Sequence, residues 1–161
     1  MVAIFELFSL LGSSKSKLLI LQTGAECSGS APNFSRSLIS EHVSTEALLS
    51  VESQKQTPLG AALRRAAKSS RAPADETVLA VLRRWYFARR AESGFRLLGF
   101  PRTILQSLVF EEWLETRGET LDACISFRGI TGTSAEVVEY YRTRGLLLEV
   151  SDNDALAFSK P

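Results

Sequence analysis

Short apolar runs bounded by polar or glycine-containing stretches alternate along this chain with longer segments whose apolar residues return every three to four positions. A run of the first kind reads as a buried parallel strand, and a segment of the second kind as an amphipathic helix. The strand pattern is met at Lys17–Gln22, Phe95–Gly99, Leu121–Phe127 and Leu146–Val150, with Ala155–Ser159 as a fifth candidate. Helices are expected over Ala31–Val43, with Phe34, Leu38 and Ile39 on one side, and from Ser44-Thr45 through Leu48 and Leu49. A third starts at Thr57-Pro58 and runs to about Lys68, Pro58 suiting a first turn that needs no N–H. Asp75-Glu76 opens the longest helix, where acidic side chains suit the dipole, and Val78, Val81, Leu82, Trp85 and Tyr86 form its apolar face. Thr103–Arg117 carries Ile104, Leu108 and Trp113 and ends at Gly118; Ser134 caps a last helix with Val137, Val138 and Tyr141 inward, ended by Gly145. Strands alternating with helices imply one parallel sheet covered on both faces.

Composition narrows the function classes without naming one. The chain has 161 residues, enough for a single domain with a substantial core, and 45% hydrophobic against 23% charged residues is ordinary for a globular protein. A formal net charge of +1 gives no overall pull toward nucleic acid or anionic lipid. Two cysteines, Cys27 and Cys124, lie far apart and read as reduced buried thiols, not a disulfide framework or zinc site. His42 is the sole histidine, so a metal cluster or His-based triad has almost no material; a surface or helix-end place is expected for it. The stretch Met1–Gly12 is apolar but short and interrupted by Glu6, and its basic neighbours Lys15 and Lys17 follow it. It reads as an N-terminal appendage over residues 1–16 of a cytoplasmic protein, neither a membrane span nor a secretory signal, and as a candidate surface for self-association. Arg83–Arg90 mixes arginines with aromatics, yet on a helix Trp85 and Tyr86 turn inward while the arginines fan into solvent, beside Asp75, Glu76 and Glu92. No nucleic-acid partner is expected from it.

The segment Gly94-Phe-Arg-Leu-Leu-Gly-Phe-Pro-Arg-Thr103 is more specific. It resembles the adenylate kinase family, whose signature there is Gly-Phe-Leu-Leu-Asp-Gly-Phe-Pro-Arg-Thr. Ser44-Thr45 before Leu48-Leu49, Thr57-Pro-Leu-Gly60, Pro73–Val78 and Val137–Tyr141 with Gly145-Leu146 are similar to further family segments at the expected spacing, covering about residues 17 to 151. The resemblance implies a three-layer α/β fold of the P-loop nucleoside monophosphate kinase type, in one domain over 1–161 with a monophosphate-binding helical segment at 44–93. It also implies a monophosphate site at Thr45, Gly99, Arg102 and Gln106, with AMP or another nucleoside monophosphate as partner.

The departures from the family all act against phosphate. Gly24-Ala-Glu-Cys-Ser-Gly-Ser-Ala-Pro32 occupies the place of the family's phosphate loop. Gly24 and Gly29 remain, but Ser30 replaces the phosphate-binding Lys, Ala31 a Gly and Pro32 the Thr, while Glu26 adds negative charge. Pro32 also removes an N–H from a nest that holds anions through such groups. Leu98 replaces an Asp associated with magnesium-bound phosphate, Glu46 a Gly, Ala47 an Asp, and Ser50 the Arg that grips the monophosphate. Between Phe127 and Ser134 only a short turn stands where the family has its lid. Phosphoryl transfer is mostly positioning and charge stabilisation, and one transition-state arginine is worth roughly 10³–10⁵ in rate. The expectation is a degenerate member with no catalytic residues, no metal and no cofactor, binding a monophosphate weakly or serving as an interaction module. The alternative is an active kinase using ATP and magnesium with a relocated cation, drawn from Lys15, Lys17, Arg36 or Arg128. For Arg102 itself two roles stand open, holding a phosphate or carboxylate and bracing the turn through an internal hydrogen bond.

Overall fold

The computed structural model describes residues 13, 15–21, 41–127 and 133–150. Five strands are found among them, β1 (Lys17–Ile20), β2 (Glu41–Ser44), β3 (Phe95–Leu98), β4 (Ala123–Phe127) and β5 (Leu147–Val150). Helices α1 (Thr45–Ser53), α2 (Pro58–Lys68), α3 (Asp75–Ala88), α4 (Ile104–Arg117) and α5 (Ala135–Thr143) complete the described elements. The strands form one sheet in the order β2-β3-β1-β4-β5, and every neighbouring pair is parallel. The α/β parallel sheet expected from the pattern is therefore present.

Register explains which side chains meet. Val43, Leu97, Leu19 and Cys124 stand in line across four strands. With Phe95 they form the floor of a core roofed by Val78, Leu82 and Tyr86 of α3, Phe110, Trp113 and Leu114 of α4, and Val137 and Tyr141 of α5. Tyr86, Phe95, Phe110 and Trp113 pack mostly edge to face with centroids 5.5–6.3 Å apart. Burial pushes the Cys124 thiol up, which keeps it protonated, as expected of a reduced core cysteine. The opposite face carries a second buried cluster of Leu18, Ile20, Ala123, Ile125 and Val150. Arg96 is buried on that same face, and desolvation lowers its pKa. The first cluster draws on α3, α4 and α5; residues 31–40 of the helix expected over Ala31–Val43 lie outside the described residues.

Several expectations need correction. Residues 41–43, expected to end a helix, belong instead to an edge strand, because residues 41–44 pair with β3. Glu-His-Val-Ser has one apolar residue, so no period-2 pattern announced it, and His42 stands inside a strand with Arg96 as register partner, not at a helix end. The helix opened by Asp75 shares the greatest length among the described helices: α3 and α4 both have 14 residues. On α4 the buried stripe is Gln106, Phe110, Trp113 and Leu114, while Leu108 is half-exposed. Arg89 does not fan into solvent. It is buried, with its guanidinium 4.7 Å from the ring centres of both Tyr86 and Phe95 and paired to Glu119. Residues 1–12, 128–132 and 151–161 lie outside the described part, and with them the appendage, the turn in place of a lid and the candidate strand at 155–159. No helix among the described residues is long and apolar enough to cross a membrane.

Helices α1 and α2 are locked as a pair. Thr57 caps α2 by accepting the Gly60 N–H at 3.0 Å, and donates its own hydroxyl hydrogen to Glu52 at 3.0 Å. Glu52 also meets Lys55 at 3.0 Å and Arg84 of α3 at 3.1 Å. A Cβ on Gly60 would stand 2.4 Å from the Lys55 carbonyl oxygen and 2.7 Å from that of Glu52, so the two helices approach too closely for a side chain there. Gly60→Ala should thus cost roughly 1–3 kcal/mol of unfolding free energy by overpacking; an unchanged urea midpoint would contradict this close approach.

The Glu52 carboxyl is held below its ordinary value chiefly by the Lys55 hydrogen bond, against the opposing effect of burial, with Thr57 and Arg84 adding to the lowering. A carboxyl whose folded pKa is depressed stabilises the fold fully above its unfolded pKa, about 4.3, and loses that contribution as pH falls through the folded value. The melting-temperature gap between the wild type and Glu52→Gln should therefore be constant near neutral pH and narrow below about pH 4.3. A gap that does not change with pH would contradict a charged role for Glu52.

Candidate functional site

Two chain turns at the carboxyl ends of β2 and β3 build a cavity of about 330 Å³. This is the edge of a parallel α/β sheet where ligands bind as a rule. At β3, Gly99 takes φ 81°, a left-handed conformation that favours glycine, and its N–H donates to the Ile20 carbonyl at 2.9 Å. The Phe100–Pro101 bond is cis, and both residues are buried. Thr103 then caps α4, its hydroxyl oxygen accepting the Gln106 N–H at 3.2 Å. The cap holds Gln106, 3% exposed, in the first turn of α4.

From there a hydrogen-bond network crosses the site. The Gln106 carbonyl oxygen accepts the Arg102 backbone N–H at 2.9 Å, and its amide nitrogen donates to Asp75 Oδ1 at 2.9 Å. The Thr103 hydroxyl donates to Asp75 Oδ2 at 3.1 Å. Asp75, the first residue of α3, thereby holds the start of one helix against the start of another.

The other wall comes from β2. Strand β2 passes into α1 without a loop: Ser44 ends the strand and caps the helix, accepting the Ala47 N–H at 3.3 Å. Thr45 follows immediately, 4% exposed, and its buried hydroxyl has no hydrogen-bond partner among the described residues. Glu46 and Ser50 lie on the same wall, and Leu49, Leu63 and Val78 supply apolar surface.

Thr45, Gly99, Arg102 and Gln106, separated by up to 61 positions in sequence (106 − 45), all line this cavity. Arg102 donates its backbone N–H to Gln106, a bond that does not depend on its guanidinium, and the residue is exposed at the cavity wall. Gly24, Gly29 and Ser30 lie outside the described residues, as do Arg36 and Arg128. Lys17 sits at the opposite edge of the sheet, at the start of β1, with its ammonium 3.8 Å from Glu119. Leu98 packs beside the second apolar cluster and brings only hydrocarbon to the place where an acidic group for magnesium-bound phosphate was sought. No group of three or more metal-ligating side chains occurs among the described residues. Sequence reasoning missed Asp75 as a site residue, because an acidic residue after Pro73-Ala74 reads equally as an ordinary helix start.

No family model matches the chain. Among curated proteins it is similar to an adenylate kinase of Moorella thermoacetica, 32% identical over 108 residues, which is 67% of this chain and 50% of that protein. An adenylate kinase of Streptomyces coelicolor has the same identity and coverage. Adenylate kinase 4 of Arabidopsis thaliana is 30% identical over 86 residues, 53% of this chain and 35% of that protein. The chain thus spans about half the length of the bacterial relatives, and less of the plant one.

Asp75→Ala would leave the Gln106 amide and the Thr103 hydroxyl without their acceptor, and should cost roughly 1–3 kcal/mol in chemical denaturation. Loss of the same size in Asp75→Asn would show that both carboxylate oxygens are needed as acceptors; full retention in both would show that Asp75 does not organise the site.

Proposed function

The chain belongs to the adenylate-kinase-like family, and from that premise we propose that it binds a nucleoside monophosphate weakly in the cavity between α1, α3 and the β3–α4 turn, without transferring phosphate. The observation that carries this reading is Thr45, which lines the cavity while its buried hydroxyl has no hydrogen-bond partner among the described residues. A buried hydroxyl left unpaired costs about 1–3 kcal/mol, a cost that a ligand donor or acceptor reaching it would remove. Arg102 and Gln106 line the same cavity, and the apolar surface of Leu49, Leu63 and Val78 suits the flat face of a base.

What supports the absence of transfer is the missing positive charge. Ser50 and Glu46 stand on the cavity wall where a gripping guanidinium and a small residue were expected. Ser30 offers no ammonium group to a triphosphate, and Leu98 no carboxylate. The alternative of a relocated cation loses support at Lys17, whose ammonium is engaged by Glu119 at the far edge.

Calorimetry with AMP, ADP and ATP, with and without magnesium, tests this together with a coupled turnover assay. Weak AMP binding with turnover at background is expected. Turnover with magnesium and ATP that disappears in Arg102→Ala would overturn the proposal. Thr45→Val supplies an independent check: removing an unpaired buried hydroxyl should leave stability unchanged or raised, while AMP binding weakens about tenfold. Lost stability with unchanged binding would give Thr45 a purely structural role.

A further inference from the structure

We infer that this cavity takes the nucleoside alone at least as well as its 5′-monophosphate, so that its preferred ligand is an uncharged nucleoside. The inference rests on the reading of the cavity as a nucleotide-type site and changes only what it selects.

Charge comes first. The ionisable side chains among the described lining residues are Glu46, Asp75 and Arg102, two carboxylates against one guanidinium. A phosphate monoester brings close to two further negative charges at neutral pH. Arg102 is the one cation among the described lining residues, and as an exposed residue its charge is partly screened. Glu46 lies beside Thr45 on the α1 wall, so a phosphate held against that wall meets a carboxylate of its own sign.

Backbone donors do not make up the deficit. Anions are commonly held by free N–H groups at helix starts, but here several are taken by the protein. The Arg102 N–H goes to the Gln106 carboxamide oxygen at 2.9 Å, the Gln106 N–H to Thr103 at 3.2 Å and the Ala47 N–H to Ser44 at 3.3 Å. The groups left for a ligand are suited to neutral partners. The Thr45 hydroxyl can donate or accept, and the Gln106 carboxamide keeps one N–H and one lone pair beyond its two internal bonds. Together with Leu49, Leu63 and Val78 they describe a site for a base and sugar.

Titration of the full chain with adenosine and with AMP, and with the guanosine, cytidine and uridine pairs, is the test, read by calorimetry and thermal shift. The nucleoside of at least one pair should bind as tightly as its monophosphate or more tightly. Raising salt from about 0.05 M to about 0.5 M should leave AMP affinity level or increase it, since screening weakens a net repulsion. Glu46→Gln, an exposed position that does not threaten folding, should raise the ratio of AMP to adenosine affinity at least fivefold, and Ser50→Arg should raise it further. AMP binding more tightly than adenosine, with affinity falling as salt rises, overturns this inference and leaves the nucleotide-type site standing. Absence of any shift or heat with either member of every pair overturns the site reading and this inference with it.

Discussion

The carboxylate of Asp75 is the point on which the cavity turns. It stands at the first residue of α3 and receives hydrogen bonds from two residues at the start of α4, the capping Thr103 and the buried Gln106. Gln106 then passes the constraint to the backbone of Arg102. Without this chain of contacts the β3–α4 turn and the α1–α3 wall would be joined at the cavity mainly through apolar packing, which sets distance loosely and direction hardly at all. Hydrogen bonds aimed at both oxygens of one carboxylate set direction as well.

A second theme is where the positive charge resides. The chain is not short of arginine, yet most of the arginines whose partners are known serve the fold. Arg84 meets Glu52, Arg89 and Arg117 meet Glu119, Arg144 meets Glu111, and Arg142 meets Glu139 and Glu149. Arg64 donates to backbone carbonyls at the end of α1. Lys17, Arg89, Arg117 and Glu119 gather around the amino end of β1, away from the edge where the cavity opens. Among the described residues, a net charge near neutrality therefore hides an uneven distribution, with basic side chains gathered where the sheet begins and Glu46, Asp75 and Arg102 lining the cavity at its other edge.

Much of the architecture could be read from the chain because its signals were redundant. Thr57-Pro58, Thr103 with Gly118 and Ser134 with Gly145 each marked a helix boundary by chemistry as well as by pattern, and those boundaries fall within about two residues of the observed ones. Strand β2 escaped because an edge strand with one apolar residue, Val43, leaves no alternation to find. The buried state of Arg89 escaped because local periodicity ends with α3 at Ala88, and what draws Arg89 inward is Glu119, thirty positions away. The site divided in the same way. Thr45, Gly99, Arg102 and Gln106 were reached through a resemblance between segments, whereas Asp75 acts through contacts 28 and 31 positions distant that no local pattern encodes.

The direct passage from β2 into α1 limits how the pocket can change. With no intervening loop, the facing of Thr45 and Glu46 is tied to the hydrogen-bonding phase of Glu41–Ser44 against β3. A shift of one place would reverse which residues look toward the neighbouring helices, exposing Val43 and turning the whole α1 wall. Insertions and deletions near this junction are thus closed off as routes to a new specificity. Any drift in what the pocket accepts has to proceed by exchanging side chains on a fixed frame, as Glu46 and Ser50 illustrate.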